Sequence, residues 1–144
     1  MHFLRIWLVI GTFLVCSGYG CRSKPEPKSP EEFIGLYSKA WQDEDVDVIL
    51  SLQLQPDDAD RAADPAVRKR VEDSTRTIER AAIEESIKRH DFAFTAWTKT
   101  TFERARDDGD HIHVDVRIDG AHSEVVLVRN NGLLKIHPNP SRFR

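Results

Sequence analysis

Residues 111–136, "HIHVDVRIDGAHSEVVLVRNNGLLKI", constrain the fold of this chain more than any other stretch. Ile112, Val114, Val116 and Ile118 alternate with His111, His113, Asp115 and Arg117, the period of a strand with one buried face. Asp119-Gly120 and Asn131-Gly132 are dipeptides of two-residue hairpin turns, which need a positive φ at both central positions. The expected strands are 110–118, 121–129 and 133–137, ended by Pro138 and Pro140 and laid side by side as an antiparallel meander. Two-residue turns also set the register: Ile118 faces Ala121, Val114 faces Val125, Ile112 faces Leu127, and Leu127 faces Ile136. One face of the meander is then aliphatic, with Ser123 its only polar member. Asp115 and Glu124 fall opposite each other on the other face.

The residues before this meander read as helices. Ser29-Pro30-Glu31-Glu32 combines an N-cap, a proline at the first helical position and a glutamate placed to close a capping box. Phe33, Leu36, Tyr37, Ala40 and Trp41 follow at helical spacing, until Asp43-Glu44-Asp45 interrupts. Asp45 caps a second short helix that turns Val46, Ile49 and Leu50 inward and ends at 55–58. Asp64-Pro65 repeats the cap-plus-proline signal for a long helix to about Arg89, with Val67, Val71, Ile78, Ala82, Ile83 and Ile87 as its apolar stripe. Its basic residues are interleaved with Glu72, Asp73, Glu79, Glu84 and Glu85, the pattern of a solvated face rather than of a polyanion site. Residues 92–105, rich in Phe, Thr and Trp, predict a long or broken strand, followed by a turn at Asp107-Asp108-Gly109.

Helices first and a meander afterwards give an α+β class, with the N-terminal helices packed on one face of a curved antiparallel sheet. At 144 residues, 40% hydrophobic and 31% charged, the chain has room for one ordinary globular domain. The opening helix with its aromatic face and acidic turn, the stretch "DDGDHIHVDVRIDG" and the closing "VVLVRNNGLLKIHP" resemble the nuclear-transport-factor-2-like superfamily, also called cystatin-like or ketosteroid-isomerase-like. The resemblance covers roughly residues 30–138, with Leu134 where a Trp is commonest, and implies a cone between helices and sheet. Enzymes of that superfamily work inside the cone with a buried carboxylate or a Tyr–Asp pair. Here no carboxylate of the last three strands points inward, so acid–base chemistry lacks its base. Tyr37, Trp41, Trp97 and Ser123 are the expected cavity lining. A polar group inside the cone from Tyr37, His90 or Asp91 would revive an isomerase, dehydratase or hydrolase.

The remaining motifs are sparse. His111 and His113 share a strand face and make a weak divalent-metal pair, because Val126 separates His113 from His137 and no cysteine assists. No nucleotide, serine-hydrolase or zinc-protease motif occurs, and no cofactor is called for. The net charge of −3 gives no footprint for nucleic acid. Val126 and Val128 beside the charges of the outer sheet face suit pairing with a second copy.

The N-terminus says where the protein works. Residues 1–20 place Arg5 before an apolar run from Ile6 to Val15 and small residues up to Gly20, the layout of a secretory signal peptide and shorter than a membrane span of about 20 residues. A signal anchor from Phe3 to Tyr19 is the alternative. Gly20-Cys21 resembles a bacterial lipobox, in which the cysteine sulfur carries a diacylglycerol; Val15 before Cys16 does not fit, and Gly18 and Tyr19 depart from the usual pattern. An ordinary signal peptidase leaving Cys21 unmodified also suits Gly18 and Gly20. The expected organisation is a signal peptide at 1–20, a polar Pro-rich tether at 21–29, a domain at 30–138 and a tail at 139–144. The expected protein is exported and anchored to a membrane of the cell envelope through Cys21. It would be a non-enzymatic domain for a small apolar ligand or a protein partner.

Overall fold

The computed structural model describes residues 25–54, 64–109 and 111–136. Among them the order is α1 (Pro30–Gln42), α2 (Val46–Leu52), α3 (Pro65–Arg89), α4 (Phe92–Thr98), β1 (Thr100–Asp107), β2 (His111–Ile118), β3 (Ala121–Asn130) and β4 (Leu133–Ile136). The strands form one antiparallel sheet in the order β1-β2-β3-β4, so the protein is α+β.

Both hairpin turns follow from their dipeptides: Asp119 and Gly120 have φ of 49° and 89°, Asn131 and Gly132 of 52° and 79°. The register is the one that two-residue turns demand, with Ile118 opposite Ala121, Val114 opposite Val125, Asp115 opposite Glu124 and Leu127 opposite Ile136. In β1 the pairing slips between Phe102 and Arg104, leaving Glu103 as a bulge. Beyond β4, Gln53 pairs in parallel with Ile136, and Leu54 N–H donates to the Ile136 carbonyl at 2.7 Å.

Helix α1 starts where its cap says: Ser29 Oγ accepts from Glu32 N–H at 3.1 Å. The reciprocal half of the capping box is displaced by one residue, since Glu32 Oε2 accepts from Lys28 N–H at 2.8 Å rather than from Ser29. The helix packs along β1 and buries Phe33, Ile34, Tyr37 and Trp41 in one core with Ile112, Val114 and Val116 of β2 and Val125 and Leu127 of β3. Burying each such side chain contributes about 1.5–3 kcal/mol before entropy is counted. Ile49 and Leu52 of α2 and Ile83 and Ile87 of α3 complete the core, while Val46 and Leu50 are half-buried at its margin.

Two expectations are corrected. Residues 92–98 are helical, because Asp91 Oδ1 accepts from Ala93 N–H and Phe94 N–H at 2.9 and 3.2 Å, and the turn it opens brings Phe94 and Trp97 onto α1. Tertiary packing overrides the strand preference of Phe, Thr and Trp; the strand itself begins only at Thr100. The stripe of α3 is divided: Ile83 and Ile87 are buried, but Val67 and Ile78 are 43% and 67% exposed. At ~1.5 Å per residue the helix is longer than the short α2 and α4 it packs on, so its first half overhangs them. Within the polar segment before α1, Pro27 is buried.

Candidate functional site

The space between α1, α4 and the sheet is filled by aromatic rings. Tyr37 stacks on Phe33 at 5.8 Å, meets Trp97 edge-on at 4.7 Å and Trp41 at 6.4 Å, and Trp41 in turn meets Phe94 at 6.5 Å. Tyr37 and Trp41 are buried and Trp97 is half-buried in this chain of rings. Ser123 is half-buried opposite Val116, on the inward side of β3.

Within the rings lie a few polar atoms. Gln53 Nε2 donates to the Tyr37 hydroxyl at 2.9 Å. Among the described residues no acceptor meets the phenol's own O–H. Burial pushes this phenol up to about 12, against the opposing effects of the Gln53 amide and the Trp41 indole, and the charge of Glu79 adds to the rise. The Trp41 N–H, though near enough to the hydroxyl to be felt by it, reaches no partner at hydrogen-bond geometry. Glu79 of α3 also has one carboxylate oxygen, Oε2, buried without a partner. Desolvation holds its carboxyl above the usual glutamate range, with the nearby Arg76 pulling the other way. The Tyr37 phenol is thus influenced by one unpaired donor, the Trp41 indole, and by the charge of Glu79, whose Oε2 is an unpaired acceptor; buried polar groups of this kind ordinarily find partners. Reading only the strands for an inward carboxylate overlooked Glu79, which the charge pattern of α3 disguises as part of a solvated face. His90 and Asp91 serve the chain instead. His90 ends α3 with φ 46° and stacks on Phe94 at 4.5 Å, and Asp91 caps α4 and bonds Ser86 Oγ.

The outer sheet face is a lattice of ion pairs. Arg104 pairs with Asp115; Arg106 Nη2 lies 3.0 Å from Glu124; Arg117 and His122 converge on Glu103, each at 2.7 Å. Arg129 and Asp107 pair at 2.6 Å as well, but in register they share the face of Ile112 and Leu127, where both are exposed. Arginine holds the carboxyls of Glu103, Asp107 and Asp115 below the usual carboxylate range. His113 Nδ1 is engaged with Glu124 at 3.1 Å, and His111 is exposed at the start of β2. Among the described residues no three His, Cys, Asp or Glu side chains gather as metal ligands; His137 lies outside them. Val126 and Val128 are half-buried amid these charges.

A cleft of about 800 Å³ opens on the opposite side, between α2 and α3. Leu36, Val48 and Leu50 form its apolar walls, Pro25 stands at its lip, and Asp45, Asp47, Arg76 and Arg80 supply its charges. Its size falls in the range of about 300–1,000 Å³ common to small-molecule sites. Four separate segments build it, so no single motif announces it.

The expected signal peptide, Cys16 and Cys21 lie outside the described residues, as do positions 21–24 of the expected tether and the expected tail at 139–144. Among the described residues no helix is long and apolar enough to cross a membrane. No protein-family model, no curated protein and no solved structure matches the chain.

Proposed function

We propose that this chain is an exported, lipid-anchored, non-enzymatic domain of the cell envelope that takes a small apolar ligand into the cleft between α2 and α3. The anchor reading is supported by the signal-peptide layout of residues 1–20 and by Gly20-Cys21, where the thiol supplies the atom that carries the lipid. The binding reading is carried by one observation: the cleft is roomy and lined by Leu36, Val48 and Leu50, apolar side chains that the core leaves half-buried. Intact mass of the membrane-extracted protein tests the anchor. A chain beginning at Cys21 with added acyl mass is expected; an unmodified cysteine or a retained Met1 removes the anchor. Native mass spectrometry of the gently extracted protein tests the cleft, where a bound small apolar species should be present and should disappear in Val48→Arg.

An enzyme of isomerase, dehydratase or hydrolase type is the second reading. Glu79 favours it, as a carboxyl with a raised pKa and an unpartnered buried oxygen whose charge the buried Tyr37 phenol feels. Turnover of an unsaturated ketone, a hydroxyacyl thioester or a carboxylic ester that Glu79→Gln abolishes in a folded protein would establish it. A panel of all three classes left unconverted would retire it.

A further inference from the structure

The charges of the α2–α3 cleft are unevenly committed. Asp45 caps α2, accepting from Val48 N–H at 3.1 Å. Asp47 and Arg80 pair with each other, and Arg80 also reaches Glu84 at 3.7 Å. Arg76 lines the same cleft, and among the described residues it makes neither an ion pair nor a hydrogen bond; Glu79 feels its charge without closing a pair with it. Both acids of the cleft are thus occupied and one base is not.

We infer that the ligand of this cleft is a free single-chain anionic amphiphile, its acyl chain against Leu36, Val48 and Leu50 and its carboxylate on Arg76. The inference rests on the preceding reading of the cleft as a ligand site and adds the ligand's chemistry. A neutral oil would fill the apolar walls but gain nothing from the exposed guanidinium, which would stay in water. A cationic amphiphile would meet Arg76 with both nearby acids already engaged. A carboxylate matches the planar fork of guanidinium with two parallel hydrogen bonds. The surroundings supply such a molecule, because Pro25 at the lip of the cleft is only four residues after Cys21, a span of at most about 14 Å of extended chain. A lipid on Cys21 would hold the cleft close to the membrane in which fatty acids partition.

The test uses the membrane-extracted protein reconstituted into phosphatidylcholine vesicles. It is irradiated with two probes of equal length, a fatty acid and the corresponding fatty alcohol, each carrying a mid-chain diazirine. Peptide mapping should find the acid attached within 36–50 and around 76–80, in preference to the alcohol by roughly ten-fold, the effect of one charge-assisted pair. Excess unlabelled oleate should compete. Arg76→Gln should erase the preference while chain labelling of the cleft persists, and Lys88→Gln, on the same helix outside the cleft, should leave the preference intact. Equal labelling by acid and alcohol in the unaltered protein overturns the head-group assignment and leaves the cleft as an apolar site. Absence of cleft labelling by either probe overturns both.

Discussion

The Tyr37 hydroxyl accepts from Gln53 inside a shell of aromatic rings, and its proton is held until about pH 12. A phenol whose folded pKa lies above its ordinary 10 stabilises the fold below that value, and the contribution is lost as pH rises from 10 through 12. The chain has two tyrosines, and only Tyr37 remains if residues 1–20 are removed. Absorbance at 295 nm should then titrate near 12, together with alkaline unfolding; a midpoint near 10 in folded protein would show the ring to be open to solvent. Tyr37→Phe leaves the Gln53 amide without its acceptor and should cost about 1–3 kcal/mol in urea unfolding. Glu79 also has its pKa raised by burial, but the consequence falls in the acid range. Burial favours its neutral form, so stability should decline as pH rises through the usual glutamate range and above. Glu79→Gln should remove that decline. A variant whose pH profile follows the parent's would locate the carboxyl in solvent.

Helix α4 depends on Asp91, whose carboxylate accepts two backbone N–H groups and bonds Ser86 Oγ. These bonds hold its pKa below the usual aspartate range, the Ser86 bond most of all. Asp91→Ala should therefore cost about 1 kcal/mol, within the 0.5–2 kcal/mol span of lost caps, and lower the midpoint of chemical denaturation without changing its slope. The meander was legible in the sequence because its information is local: Asp119-Gly120 and Asn131-Gly132 each dictate a turn, and each turn dictates a register. Helix α4 was not, although its cap at Asp91 stands in the open. Phe92, Thr95 and Trp97 carry strand preference, and what decides against a strand is the distant face of α1 that Phe94 and Trp97 meet. Helix α3 was legible in its ends but not in its burial, since Val67 and Ile78 lie on a helix longer than the elements that cover it.

Taken whole, the molecule opposes two pH dependences. The paired sheet carboxylates Glu103, Asp107 and Asp115 are held below their ordinary range by Arg117, Arg129 and Arg104, so their contribution is present above that range and lost as pH falls through the lowered values. These pairs face solvent, where salt screens them. Melting temperature should fall on acidification below about pH 4, near the lower end of ordinary carboxylate values, and the fall should be shallower in 1 M NaCl. An acid limb indifferent to salt would assign it to buried groups instead. The face carrying Asp115 and Glu124 was legible from strand parity. The cleft was not, because Pro25, Leu36, Val48 and Arg76 come from four segments that only the packing of α2 on α3 brings together.

The bulge at Glu103 bears on how the protein behaves when crowded. An open sheet has two free rims, and a bare rim invites another chain to extend it. Here Gln53 and Leu54 run along β4 and use the Ile136 carbonyl. On β1 the slip at Glu103 breaks the regular spacing that an incoming strand would need, and Glu103, Arg104 and Arg106 load the same rim with charge. Growth into strand-linked polymers is thereby opposed at both rims, and crowded copies can collide without stitching together.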